Sequence, residues 1–296
     1  MKITCFGEVL WDIFPKHKKI GGAPLNVALR LKSMGIDSCV VSRVGDDDLG
    51  KDIMKYVAER QLPLDTFQID HQYKTGEVEV TLDEENTATY NINHPVAWDF
   101  IEYTEEVIQV VAQSDAIIFG SLASRNETSR ATLLRALDKA KFKILDVNLR
   151  PPHYDAELLL ELMKNTDFIK LNDEELDEIC TIFKIEEKFI ENKIKAVAKH
   201  CDTDQICITK GGKGAILWYK GTFYHNEGYK IKVVDTVGAG DSFLATLISG
   251  LLQQETPQVA IDNACAVGAM VAAREGANPV FSTSEIRNFV RSQVKY

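Results

Sequence analysis

The segment Val233-Val234-Asp235-Thr236-Val237-Gly238-Ala239-Gly240-Asp241-Ser242-Phe243 joins a β-rich stretch to a run of helical period over Ala239 to Leu252. Glycines at 238 and 240 let a ligand come close to the backbone, and the first N–H groups of a helix lack intrahelical partners. Such a turn forms an anion hole that suits phosphate. Asp241 falls in the first helical turn, where an ionised acid is favoured, and faces the same anion site. A carboxylate so placed serves as general base toward a hydroxyl beside a transferring phosphoryl group. Taken alone, Gly-x-Gly-Asp is more often a glycine turn whose acid only complements a helix N-terminus, so the companion residues decide.

Gly21-Gly22-Ala23-Pro24-Leu25-Asn26-Val27-Ala28 is a second glycine pair opening a helix. Pro24 pre-sets the first turn, and Asn26, on an otherwise apolar helix, offers an amide that donates to and accepts from hydroxyls. Polyols need such groups. Asp12 follows the first strand in Gly7-Glu8-Val9-Leu10-Trp11-Asp12, at a strand's C-terminal end, where ligands of open α/β sheets collect; its other reading is a turn residue before Pro15. Gly45-Asp46-Asp47-Asp48-Leu49-Gly50-Lys51-Asp52 has the skeleton of a P-loop. Asp52 stands where Ser or Thr is needed, and three consecutive acids repel phosphates, so that reading is rejected.

The elements that must position these residues follow a βα rhythm: Ile3 to Gly7, Pro24 to Met34, Ser38 to Val44, Leu49 to Arg60. It resumes with the strand Ala116 to Phe119, a helix over Thr128 to Lys139, the strands Phe142 to Val147 and Phe168 to Leu171, and the acidic helix Asp173 to Phe183. This alternation predicts a doubly wound α/β domain on a mainly parallel sheet, in one main domain. Between the blocks, Thr75 to Leu82 and Thr87 to Ile92 flank the polar turn Asp83-Glu84-Glu85-Asn86, which predicts an antiparallel hairpin, either an appended lid or an edge of the main sheet. Ile206 to Thr209 and Ala215 to Tyr219 flank the turn Lys210-Gly211-Gly212-Lys213-Gly214, and helices follow over Gln258 to Ala273 and Ser284 to Val294.

Composition narrows the partners. The 296 residues carry 34 basic and 44 acidic side chains, a net charge of −10, and the densest positive stretch is the short Lys16 to Lys19. The electrostatic attraction that drives nucleic-acid binding is missing, and an anionic substrate must be held by local groups. The six cysteines form no C-x-x-C pair, which suggests neither a zinc site nor a disulfide framework and fits a reducing cytoplasm. Glu8 and Asp12 break any apolar leader, and no uncharged run approaches the roughly 18 to 20 residues of a membrane span. The sequon Asn126-Glu127-Thr128 is then accidental.

The Gly-Gly-x-x-x-Asn-x-Ala segment at 21–28 and the Asp-Thr-x-Gly-Ala-Gly-Asp segment at 235–241, in this order and at this separation, resemble the two signatures of the ribokinase/PfkB carbohydrate kinases. The resemblance runs over essentially the whole chain and implies a ribokinase-like α/β fold with a small β-hairpin lid over about residues 75–95. By it, Asp241 is the catalytic base, and the N–H groups around Gly238, Ala239 and Gly240 are the anion hole. Asp12, Gly22 and Asn26 match sugar-contacting positions, and Thr209-Lys210-Gly211 matches the nucleotide-binding turn. Asn172-Asp173-Glu174-Glu175 matches the N-x-x-E element, which sets Asn172 and Glu175 near the phosphates and Mg2+, mostly through water. Asp235 falls at a position associated with the monovalent-cation site of members that have one, so the cofactors implied are ATP, Mg2+ and, in such members, K+.

The segment Leu145 to Pro152 and the motifs Gly7-Glu8-Val9-Leu10 and Gly21-Gly22-Ala23-Pro24 resemble fructokinases more than ribokinases, which makes D-fructose the leading substrate; Arg150, a positive charge in an acidic protein, is expected to face phosphate or substrate, its other reading being a surface ion pair. The alternatives within the family are 2-keto-3-deoxygluconate kinase, ribokinase and nucleoside kinase. A non-catalytic sugar sensor on the same fold is the alternative outside it. The small-residue helix Asn263 to Ala273 and the turn Gly276-Ala277-Asn278-Pro279 are candidate walls for adenine. Lids of this family often pair, so a homodimer through 75–92 and a monomer that covers its own sugar site are both open.

Overall fold

A computed structural model of the chain describes residues 1–15, 17–82 and 88–293. Lys16 of the basic stretch, the hairpin turn Asp83 to Asn86 with Thr87, and Val294 at the end of the last expected helix lie outside the described residues. The chain divides into two compact units, one of Met1–Leu29 with Asp37–Lys141 and one of Arg30–Ile36 with Phe142–Tyr296.

In chain order the first unit holds β1 (Lys2–Phe6), β2 (Leu10–Ile13), β3 (Lys18–Gly21), most of α1 (Ala23–Ser33), β4 (Asp37–Gly45), α2 (Asp48–Glu59), β5 (Phe67–Asp70), β6 (Gly76–Leu82), β7 (Ala88–Ile92), α3 (Glu105–Gln113), β8 (Ala116–Gly120) and α4 (Glu127–Leu137). Its parallel strands run in the order β8-β1-β4-β5, with Phe6 opposite Val41 on one side and Phe119 on the other. Ile3, Cys5, Phe6, Val40, Val41 and Ile117 are all fully buried. Strands covered on both faces read as such apolar runs, which is why they are legible in the sequence.

The hairpin lies elsewhere. β6 and β7 pair antiparallel, and β6 pairs in parallel with β2, giving a second sheet of order β3-β2-β6-β7. This sheet has a small core of its own, Leu10 and Val78 with Phe14 and Ile92 packed against them. Two of its strands come from residues 10–21, so Asp12 is part of β2, opposite Lys19 of β3, and not in a loop that follows β1. Four-residue strands with lysines on one of them lack an apolar alternation, and a pairing between β2 and β6 spans more than 60 residues.

The second unit holds β9 (Lys143–Asp146), α5 (Ala156–Lys164), β10 (Phe168–Asn172), α6 (Asp173–Ile182), α7 (Ile190–Cys201), β11 (Gln205–Thr209), β12 (Ala215–Tyr219), β13 (Thr222–Asn226), α8 (Ala239–Leu252), α9 (Pro257–Ala272) and α10 (Thr283–Gln293). β9, β10 and β11 are parallel, and β12 and β13 extend them antiparallel. Two registers bring polar side chains together. Lys170 lies opposite Asp146, and Asn172 lies opposite Thr209, so the C-terminal ends of three strands bring four polar side chains to one edge. α8 is buried all round from Ser242 to Gly250 and packs on α9, as expected for a helix apolar on every face. All six cysteines are buried free thiols. Among the described residues no helix is long and apolar enough to cross a membrane.

Candidate active site

The turn before α8 has the geometry its residues imply. Gly238 is the N-cap in the left-handed conformation, with φ 74° and ψ 0°, a backbone that an L side chain adopts only under strain. Its carbonyl accepts from Ser242 N at 2.9 Å, which starts the helix, and Asp241 stands in the first turn. Buried Arg30 donates from Nε to Ser242 Oγ at 3.0 Å and from Nη2 to the Pro279 carbonyl at 2.7 Å, fixing that turn from below. Asp235 holds the other end. Its Oδ1 accepts from Val237 N at 3.0 Å and its Oδ2 from Gly276 N at 3.1 Å.

Beneath the turn sits a group of charges that sequence reasoning missed in part. Lys170 Nζ donates to both oxygens of Asp146, at 2.8 and 3.0 Å, and the two residues are 7% and 4% exposed. Burial opposes the charge on Lys170. Asp146 above all, then Glu175 and Asp241, outweigh it and hold the ammonium above its usual range. The signal was available: Lys170 is the one charge in the strand Phe168–Asn172, whose first four residues are all buried. Asp146 lies inside the Asp-x-Asn-Leu-Arg segment, without a role assigned from sequence.

Asn172 and Glu175 form a capping box at the start of α6. Asn172 Oδ1 accepts from Glu175 N at 2.8 Å, and Glu175 Oε2 accepts from Asn172 N at 2.8 Å. The other oxygen, Oε1, accepts from Leu149 N at 2.9 Å, so this carboxylate also anchors the strand-end segment that carries Asn148, Leu149 and Arg150. Burial pushes the Glu175 carboxyl above the usual carboxylate range, against the pull of Lys170. Arg150 itself is exposed and donates from Nη1 to the Leu149 carbonyl at 2.8 Å.

A cavity of about 320 Å³ opens beside the turn, within the size range of small-molecule sites. Asn172, Thr209 and Gly211 meet there with Gly240, and its apolar wall includes Tyr229, Phe243, Cys265 and Ala269. Burial pushes the Cys265 thiol up to about 12, so it contributes an apolar surface and no nucleophile. The α9 wall expected from small residues is thus present, whereas Gly276 to Pro279 do not line this cavity. That turn serves the backbone, through Gly276 N on Asp235 and the Pro279 carbonyl on Arg30.

In the first unit, the Asp12 carboxylate lies directly over Gly21, where a Cβ would come within 2.5 Å of Oδ2. Gly22 has φ 111°, and a side chain on it would strike the Glu8 carbonyl. Asn26 is buried one turn further along α1, where its N–H bonds the Gly22 carbonyl at 3.0 Å. The rejected P-loop is also explained. Asp47 caps α2, its carboxylate accepting from Gly50 N, Thr75 N and Thr75 Oγ1 at 2.8, 2.9 and 2.7 Å, so an acid and not a phosphate occupies that glycine turn.

Residues 6–284 match the profile of the pfkB family carbohydrate kinase. The chain belongs to this family. Among pfkB relatives, it is 28% identical to the probable fructokinase-6, chloroplastic, of Arabidopsis thaliana, over 96% of this chain and 80% of that protein. It is 27% identical to the fructokinase of Escherichia coli, over 84% of each chain. The crystal structure of a fructokinase with bound ATP from Xylella fastidiosa superposes with a TM-score of 0.87 over 99% of this chain and 98% of that one, at 20% identity. The pfkB fold is therefore a mixed α/β fold with mostly parallel strands flanked by helices here as well.

Proposed function

We propose that this carbohydrate kinase transfers the γ-phosphoryl group of ATP to the primary hydroxyl of a small sugar, and that D-fructose, phosphorylated on O6, is its substrate. One observation carries the reading. Gly240, the residue before the base Asp241, is itself a wall of the cavity that Asn172, Thr209 and Gly211 line, so one turn serves both the nucleotide pocket and the acceptor hydroxyl.

Phe243, Cys265 and Ala269 of this cavity would hold the base of the nucleotide, and Gly211, Ala239 and Gly240 its phosphates. Asp241 takes the proton of the attacking hydroxyl as its oxygen bonds the γ-phosphorus in line, and the bond to the bridging oxygen of ADP breaks. The N–H groups of Gly238, Ala239 and Gly240 offset the charge on the transferring group, aided by the positive end of α8. In the first unit Asp12, Gly22 and Asn26 would hold sugar hydroxyls and the β3-β2-β6-β7 sheet would serve as the lid, and in the second unit Arg150 would meet a phosphate or the sugar. Among the described residues no three His, Cys, Asp or Glu side chains are grouped to hold a metal. Mg2+ keeps much of its water shell and binds mainly through substrate phosphates, and Asn172 and Glu175 at the start of α6 would stand near it through water. When bound, the ion neutralises phosphate charge. Asp235 is the candidate for the monovalent-cation position.

The names of the relatives support fructose over other acceptors. A coupled ADP-release assay with ATP and Mg2+ across fructose, ribose, 2-keto-3-deoxygluconate, glucose and adenosine, with and without K+, tests it. The expected result is a kcat/KM for fructose well above every other acceptor. Another acceptor in the lead would retire fructose and keep the kinase; no turnover with any acceptor would favour the sugar-sensor reading.

A further inference from the structure

Lys170 has no part in the mechanism above, yet three acids of the second unit, Asp146, Glu175 and Asp241, act on its ammonium. It reaches Asp146 from β10 to β9, with both oxygens of that carboxylate at hydrogen-bond distance. Glu175 from α6 and Asp241 from α8 act on the same ammonium, and Lys170 acts in turn on the buried Cys207 of β11, whose thiol burial pushes well above the usual range. Nζ also lies against the phosphate-binding turn. A Cβ built on Gly240 would come within 3.5 Å of it.

A buried ion pair is a poor device for stability alone, because desolvation offsets most of the attraction and a well-packed apolar pair usually does as well. The strand around it is apolar, with Ile169 and Leu171 fully buried, so an apolar residue at 170 would suit the local pattern. A cation is needed there for another reason. Without it, the buried Asp146 and Glu175 carboxylates would repel the partly buried Asp241 and an incoming triphosphate with no cation between them.

We infer that Lys170 is a positioning residue for phosphoryl transfer: anchored by Asp146, it sets a fixed positive charge beneath the Gly238–Asp241 turn, which keeps the base in place and offsets the charge that the reaction brings there. The inference rests on the kinase reading above and adds to it a residue outside both signature motifs. Lys170 acts through the turn and through Asp241, so its loss should reach kcat more than substrate affinity.

The test compares the wild-type chain with Lys170→Met and with the neutral double variant Lys170→Met/Asp146→Asn, using the best acceptor of the panel. Lys170→Met leaves Asp146 buried without its cation and should lose both Tm and turnover. The double variant removes both partners of the ion pair and leaves Glu175, whose oxygens accept from Leu149 N and Asn172 N, as the buried acid of the group. Its Tm should return toward wild type, while kcat stays lower by about tenfold or more, the scale of a lost preorganised charge, with KM for ATP and sugar changed less than about threefold. A double variant with wild-type Tm and wild-type kcat would overturn the inference. Should the double variant not fold, Lys170→Arg against Lys170→Gln gives the same answer at a temperature where both show native circular dichroism. The charged variant should be faster by about tenfold or more, and equal rates would overturn the inference. A wild-type chain silent on every acceptor would overturn the kinase reading itself, and this inference with it.

Discussion

At the scale of the residue, the site depends on backbone shapes that few residues can adopt. Gly238 at φ 74° is the clearest case, since a methyl group there would also approach the Ala277 Cβ to 2.5 Å. Left-handed backbone costs an L residue about 1–2 kcal/mol before the clash is counted, so Gly238→Ala should lower the Tm by about 2–4 °C or more. Turnover should fall by about tenfold or more, because the displaced N–H groups no longer meet the phosphate. Calorimetry and steady-state kinetics on the same sample check this, and unchanged kcat would remove the turn from the mechanism. Glycines and an acid at a helix start are legible in a sequence because their chemistry is local. Lys170 shows in the sequence only as a lone charge in an apolar strand; its meaning lies in a strand register that sets it opposite Asp146, 24 residues away, and in the distant Gly240 turn.

At the scale of the element, the helix starts are held by side chains that the sequence displays openly. Asp47 at α2, Thr104 at α3, Asn126 at α4, Asp155 at α5 and Asn172 at α6 all accept from an N–H of the first turn. Asp47 does more, since it also takes Thr75 N and Oγ1 and so joins α2 to the start of β6. Asp47→Ala should cost about 1–2 kcal/mol, read as a lower Tm at neutral pH. Burial raises the Asp47 carboxyl, but the bonds from Thr75 and Gly50 outweigh it and hold the group below the usual aspartate range. A lowered folded-state pKa stabilises above the unfolded value and loses that contribution as pH falls through the folded one. The Tm gap between wild type and variant should therefore narrow in acid, and a gap that widened would contradict the assignment. The long helices and buried parallel strands match their apolar periods closely, whereas β2 and β3 take their identity from long-range pairing that no local pattern displays.

At the scale of the whole molecule, a chain of net charge −10 works on two anions, a nucleotide and a phosphorylated product, through a few local devices. The two glycine turns and the acidic α6 start were legible because each carries its chemistry within seven or eight residues. The cavity proposed for the nucleotide was legible only in part. Its walls come from the β11–β12 turn, the 228–236 segment, α8 and α9, and Tyr229 has no motif that announces it. The central claim is that Asp241 is the base of a sugar kinase. It is tested most directly by the turnover of Asp241→Asn beside wild type, with ATP, Mg2+ and D-fructose, together with calorimetric binding of the sugar. The account predicts a kcat lower by about a hundredfold to ten-thousandfold with sugar affinity largely kept. Near-normal turnover in that variant would contradict it.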